Sequence, residues 1–171
     1  MKYSYTALYE KNAAFYNARP RLKAALLYAN VALTLIFFIA YGLFVAVAIG
    51  DEYAAEDLMK ILGAPALCLF LVSLLRMAVG RARPYSEQGA NIKPMYEKKG
   101  DGKGSFPSRH VACAFVIACT IFSYSTGAGI CLLPLAALLA YVRFAVGVHY
   151  PSDLFGGAIL GAICGLLTFI F

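Results

Sequence analysis

From Ala24 to Gly50 the chain runs 27 residues without a charged side chain. About 20 apolar residues cross the hydrocarbon core of a bilayer, and in lipid a backbone can satisfy its polar groups within one segment only as a helix. That stretch is therefore a first membrane span. A second span starts near Leu58 and reaches Gly80, and from Ile61 onward Arg76 is its one charge, placed where a long side chain can snorkel to the interface. Val111 to Val142 is 32 residues without a charge, too long for one span, and Ser123-Tyr-Ser-Thr-Gly-Ala-Gly129 breaks it into a tight hairpin of third and fourth spans. A fifth runs from about Ser152 to Phe171. Upstream, Tyr5, Leu8, Tyr9, Ala13 and Tyr16 recur at helical spacing with Glu10 and Lys11 on another face. This predicts an amphipathic helix lying at the interface, within residues 1–22.

The expected fold is thus all-α: one membrane domain over residues 1–171, a bundle of about five transmembrane helices plus an interfacial N-terminal helix. Composition agrees, since 61% of the residues are hydrophobic. The net charge of +6 could suggest nucleic acid, but the basic residues sit at the ends of apolar segments and form no patch interleaved with aromatics. Anionic head groups explain them better, and no nucleic-acid partner is expected. Cys68, Cys113, Cys119, Cys131 and Cys164 lie in apolar stretches without a Cys-x-x-Cys pair and read as small buried residues. The first apolar run is too long for a secretory signal.

Within this apolar chain, Arg143-Phe-Ala-Val-Gly-Val-His149-Tyr-Pro-Ser-Asp153 places an arginine, a histidine and an aspartate at the border of two spans. Charged groups at membrane depth are costly and mark function by default. Pro151 suits the first turn of a new helix, so Asp153 can reach back to one ring nitrogen of His149 and leave the other free. Counting crossings brings Arg76, Arg83, Ser108, His110, Arg143, His149 and Asp153 to one membrane face. Arginine forks match phosphate oxygens in pairs. Pro107 and Ser108 look like the opening of a helix, whose free N–H groups attract an anion. The 27-residue polar connection, residues 81–107, exceeds ordinary loop length and reads as an active-site loop. Within it Arg81, Lys93, Lys98, Lys99 and Lys103 read as a solvated surface facing head groups; Tyr85 there and Tyr150 beyond the fourth span read as interface aromatics, either of which could line the entrance.

Taken together, Arg76-x6-Arg83-Pro84, Pro107-Ser108-Arg109-His110 and Arg143-x5-His149-x3-Asp153 resemble the three motifs of the type 2 phosphatidic acid phosphatase superfamily. The resemblance implies a lipid phosphate phosphatase of the cell membrane that acts on phosphatidate or on an isoprenyl or undecaprenyl diphosphate. It implies that Arg76, Arg83, Arg143 and Ser108 hold the phosphate. His149 would attack phosphorus to form a phosphohistidine, and Asp153 would orient it. His110 would protonate the departing lipid oxygen and then activate water. No cofactor is expected, and no metal, because no carboxylate cluster suited to magnesium is visible on this face. Three positions depart from the family pattern: Arg76 stands for the usual lysine, Arg109 for glycine and Val142 for serine. Arg109 could contact a second phosphate or simply meet lipid head groups.

Two other readings stand beside this one. Paired histidines can ligate haem, but such ligands normally face each other across a bundle core. A non-catalytic membrane protein that binds anionic head groups would explain the charge, but leaves both histidines and Asp153 without a role. The basic residues Lys2, Lys11, Arg19, Arg21 and Lys23 flank the motif-bearing face, and Asp51, Glu52, Glu56 and Asp57 the opposite turn. The positive-inside rule puts the motif face in the cytoplasm, whereas bacterial proteins of the resembled family often act on the outer face.

Overall fold

The computed structural model describes residues 2–96 and 102–170, so Lys98 and Lys99 of the expected basic loop surface lie outside the described residues. Six α-helices follow one another: α1 (Lys2–Asn17), α2 (Pro20–Gly50), α3 (Ala55–Val79), α4 (Arg109–Tyr124), α5 (Thr126–Ala145) and α6 (Pro151–Leu166), the last continued by a 3₁₀ turn, Leu167–Phe169. The described residues contain no strand. The fold is a helical membrane bundle, as the charge-free runs require.

Helix boundaries follow local chemistry. Pro20 opens α2 at a position where its missing N–H costs nothing, so the helix begins four residues before the expected Ala24 and takes in Arg21 and Lys23. At 31 residues α2 is about 46 Å long. Gly80, in the left-handed conformation at φ 55°, ends α3 and donates its N–H to the Arg76 carbonyl at 3.1 Å. A single residue, Ser125, separates α4 from α5 and closes the hairpin.

Four helices are long and apolar enough to cross a membrane: α2, α3, α5 and α6 with its 3₁₀ extension. The expected third span, α4, has 16 residues, about 24 Å. It contacts α2, α3, α5 and α6, and nine of its residues from Val111 to Ile121 are buried, so protein rather than lipid surrounds much of it. Contacts at both ends of the bundle confirm the alternating direction of the chain. At one end the Tyr124 hydroxyl donates to Asp57 at 3.1 Å and Ser123 pairs with Thr168 at 2.6 Å. At the other, the Ser108 N–H donates to the Asp153 carbonyl at 2.9 Å.

The tightest helix contact is between α4 and α6, and glycine makes it. Gly157, Gly161 and Gly165 recur every fourth residue on one face of α6. A Cβ at Gly157 would lie 2.6 Å from the Ser108 carbonyl oxygen, one at Gly161 2.3 Å from that of Ala112, and one at Gly165 2.6 Å from the Cys119 Cβ. Small residues spaced this way let helix backbones meet closely, which is how apolar helices associate where lipid is as apolar as they are. This face has a measurable consequence. Gly161→Leu forces the helices apart and should lower the unfolding midpoint in detergent by several degrees, since overpacking costs roughly 1–3 kcal/mol. Gly42→Leu, where no heavy atom lies within 4 Å of the added Cβ, should leave the midpoint unchanged. Equal midpoints for the two variants would refute the contact.

Candidate active site

Three helix ends and one loop build the site. Arg76 ends α3, and its Nη1 donates to the Pro107 carbonyl at 3.3 Å while the guanidinium lies over Gly104, where a Cβ would come within 3.1 Å. Gly104 has φ 65°, so glycine is needed there both for the backbone and for the arginine above it. Past Gly80 the chain zips against the far end of its own loop. Arg83 N–H donates to the Gly102 carbonyl at 2.7 Å, and Ser105 N–H donates to that of Arg81 at 2.8 Å. The long connection is thereby folded back so that its two ends lie side by side.

The loop between α5 and α6 carries His149. Gly147, at φ 82°, turns the chain, and a Cβ there would meet the Tyr9 ring at 2.7 Å. Val146 and Val148 are fully buried and anchor the turn, and Met95 N–H donates to the Val146 carbonyl at 3.1 Å. His149 is 2% exposed and Asp153 has no exposed surface. Their side chains approach to 3.6 Å between Nδ1 and Oδ2, longer than a hydrogen bond, so the buried Nδ1 faces the carboxylate without being bonded to it. Oδ2 also accepts the Tyr150 N–H at 2.9 Å, as an acidic residue in a helix's first turn does.

The cations gather around this pair. Arg143, 5% exposed at the end of α5, donates from Nη2 to Thr34 Oγ1 of α2 at 3.2 Å, and its Nε has no partner. The charges of Arg83 and Arg143 both act on His149, and Arg76 feels those of Arg83 and Arg109. Burial, reinforced by Arg83 and Arg143 and opposed by Asp153, lowers the His149 pKa from 6.5 to about 4, so the imidazole is neutral at physiological pH. Ser108 is fully buried at the start of α4 with its hydroxyl unpaired. His110 and Arg109 are exposed on the first turn of α4. They line a slot of about 140 Å³ whose other walls include Thr34, Phe37, Cys113 and Leu139. Among the described residues no group of three His, Cys, Asp or Glu side chains could hold a metal ion.

Several contacts are not legible in the sequence. Arg81, expected on a solvated surface, donates from Nη1 to Asp153 Oδ1 and to Ser152 Oγ, each at 2.7 Å. Its guanidinium lies 4.3 Å from the centre of the Tyr150 ring, and Tyr150 is buried rather than an interface aromatic. The Ser105 hydroxyl donates to Asp153 Oδ2 at 2.5 Å. Thr34 holds Arg143. Helix α1 covers the histidine loop with Tyr5 and Tyr9, both buried, while Leu8 and Phe15 stay exposed. The Tyr5 hydroxyl faces the His149 carbonyl at 3.5 Å, Tyr9 donates to that of Lys93 at 2.9 Å, and Asn12 to that of Ala145 at 3.0 Å. Asn30 and Thr34, four residues apart in an otherwise apolar span, were the available signal for the α2 contribution.

A cluster of fixed cations with an unpaired serine hydroxyl and an unpaired Arg143 Nε should bind a tetrahedral anion. Orthophosphate is expected to raise the unfolding midpoint of the wild type, and Arg143→Met to abolish the rise. Thr34→Val removes one charge-assisted hydrogen bond from Arg143 and should weaken the apparent phosphate affinity about tenfold. A midpoint insensitive to phosphate in the wild type would exclude the site.

Comparison with known proteins gives a consistent answer. A lipid A 4'-phosphatase of Bacteroides thetaiotaomicron is 34% identical over 102 residues, 57% of this chain and 45% of that protein. The bacitracin transport permease protein BcrC of Bacillus licheniformis is 37% identical over 79 residues, 46% of this chain and 38% of that protein. The chain thus spans less than half the length of these curated relatives. Among solved structures, LpxE of Aquifex aeolicus superposes with a TM-score of 0.68 at 27% identity, over 95% of this chain and 94% of that one. A PAP2-type phosphatidylglycerolphosphate phosphatase of Bacillus subtilis, 21% identical with a TM-score of 0.52 over 99% and 94%, shares the fold. The model of the PAP2 superfamily matches residues 57–171, which carry every motif residue around His149, and the chain belongs to that superfamily.

Proposed function

We propose that this protein hydrolyses a lipid phosphate at the membrane surface through a phosphohistidine on His149. The observation that carries this reading is the grouping of Arg83 and Arg143 about a buried His149 and Asp153 pair at one end of a membrane bundle. Phosphoryl transfer asks for positioning and for neutralisation of charge on the equatorial oxygens, and fixed guanidinium groups supply both without reorganisation. Arg76, Arg83 and Arg143 hold the phosphate together with Ser108 and the N–H groups at the start of α4.

With Nδ1 turned to Asp153, Nε2 of neutral His149 attacks phosphorus in line. The N–P bond forms as the bond from phosphorus to the lipid oxygen breaks, and His110 gives its proton to the departing alkoxide. His110 then takes a proton from water, hydroxide attacks phosphorus, the N–P bond breaks, and orthophosphate leaves with the imidazole restored. The arginines provide the charge these steps need, so the reading calls for no metal. The apolar slot beside His110 suits the first carbons of a lipid leaving group. One relative is named for acting on lipid A. The substrate panel is therefore lipid A, phosphatidate and an isoprenyl diphosphate.

A non-catalytic protein that binds anionic head groups is the competing reading, and it leaves the burial of His149 against Asp153 unexplained. The test is phosphate release from that panel by wild type and by His149→Ala, with acid- and base-quenched samples taken during turnover. Expected are loss of at least three orders of magnitude in the variant and a phosphoenzyme that is acid-labile and base-stable. Equal release by both proteins, or none from any substrate by the wild type, would exclude the enzyme.

A further inference from the structure

Asp153 presents a conflict that the motif residues alone do not resolve. A fully buried carboxylate next to an imidazole draws a proton onto it, because the ion pair is the cheaper arrangement in a dry site. A protonated His149 has no lone pair with which to attack. Yet the same carboxylate is needed to fix the ring. Arg81 and Ser105 stand where they can satisfy both demands. Arg81 donates to Oδ1 at 2.7 Å, Ser105 to Oδ2 at 2.5 Å, and the two are tied to each other through the Ser105 N–H on the Arg81 carbonyl. Arg81 is itself fixed on three sides, by Asp153, by Ser152 and by the Tyr150 ring. Arg81 occupies an unspecified position of the first motif, and Ser105 precedes the second.

We propose that Arg81 and Ser105 are positioning residues that clamp the Asp153 carboxylate opposite His149, Arg81 taking up enough of its charge to leave the imidazole neutral and nucleophilic. The inference rests on the reading of His149 as nucleophile. Arginine suits the task because it stays charged at every working pH and its planar fork holds a carboxylate in a set direction. The groups that face His149 divide by sign. Arg83 and Arg143 oppose its protonation, Asp153 favours it, and the Tyr5 phenol meets its carbonyl oxygen. Removing Arg81 leaves the Asp153 charge to the imidazole alone, which raises the affinity of His149 for a proton.

The test is the pH dependence of kcat/KM for a soluble aryl phosphate, measured for each protein on the same substrate so that substrate ionisation cancels. In the wild type the acidic limb tracks His149, near 4 rather than 6.5. Arg81→Met keeps an apolar stem over Tyr150 and should move that limb upward by about one pH unit, which lowers kcat/KM about fivefold near pH 4 and leaves neutral pH, above both limbs, free of any loss from protonation. Arg81→Lys, which restores the charge, should bring the limb back. Ser105→Ala should lower kcat about tenfold with KM unchanged and the limb in place, because it removes a contact and no charge. An unmoved limb in Arg81→Met, whatever its rate, overturns the charge-sharing role, and an unaltered kcat in Ser105→Ala overturns the clamp by Ser105. Arg81→Gln is read in place of Arg81→Met should the latter fail to fold. His149→Ala measured alongside separates the two readings. If it hydrolyses as fast as wild type, the assignment of the nucleophile falls; if it is inactive and the Arg81→Met limb has not moved, only the clamp falls.

Discussion

The active face depends on how closely α6 can approach α4. In lipid there is no hydrophobic force to drive two apolar helices together, so association rests on close packing and on polar contacts. Gly157, Gly161 and Gly165 remove the side chains that would hold α6 off, and α4 answers with its own backbone and Ala112. The consequence is felt at the ends of the helices. With the two axes this near, the Ser108 N–H reaches the Asp153 carbonyl, and the first turns of α4 and α6 open side by side. Each first turn presents the positive end of a helix dipole. Two such ends at one spot, beside Arg83 and Arg143, make a site for an anion before any ligand arrives.

Assembling like charges costs energy, and the fold meets that cost by tying each cation to a neutral or acidic neighbour. Arg143 leans on Thr34, Arg76 on the Pro107 carbonyl, and Arg81 on Asp153 and Ser152. None of these ties completes a guanidinium's five donors, so each arginine keeps donors to spare. Arg143 shows this directly, since its Nε is buried without a partner. An unsatisfied buried donor is expensive, and water, an ion or a ligand can each supply its partner. The buried Ser108 hydroxyl, also unpaired, fits the same account.

The bundle was legible because lipid imposes one rule on every span: charge-free runs of sufficient length become helices. That rule located α2, α3, α5 and α6 closely. It placed the start of α2 late, because Arg21 and Lys23 read as a flank although Pro20 already opens the helix. The rule does not fix the length of α4, whose 16 residues are partly enclosed by protein. The juxtaposition of His149 and Asp153 was legible through spacing, since the two are four residues apart and the contact is local. Arg81, Ser105 and Thr34 were not, because their partners lie 72, 48 and 109 residues away along the chain. A surface arginine and an arginine clamped on a buried carboxylate look alike in sequence. Only the pairing of the two loop ends, residues 81–83 with 102–105, distinguishes them.

The segment preceding the family-matched region follows the same logic from outside. The loop from Ala145 to Tyr150 must leave a helix, turn at Gly147 and start another helix, so several of its carbonyls lose their intrahelical partners. Helix α1 supplies donors where they are lacking: Asn12 to the Ala145 carbonyl, and the Tyr5 hydroxyl toward that of His149, while Tyr9 fixes the neighbouring Lys93. Burial raises the phenol of Tyr9 to about 12 and that of Tyr5 further still. Both therefore remain donors over the whole range in which His149 changes charge. His149 is thus faced from the bundle side by a carboxylate and held from the surface side by groups that do not titrate with it.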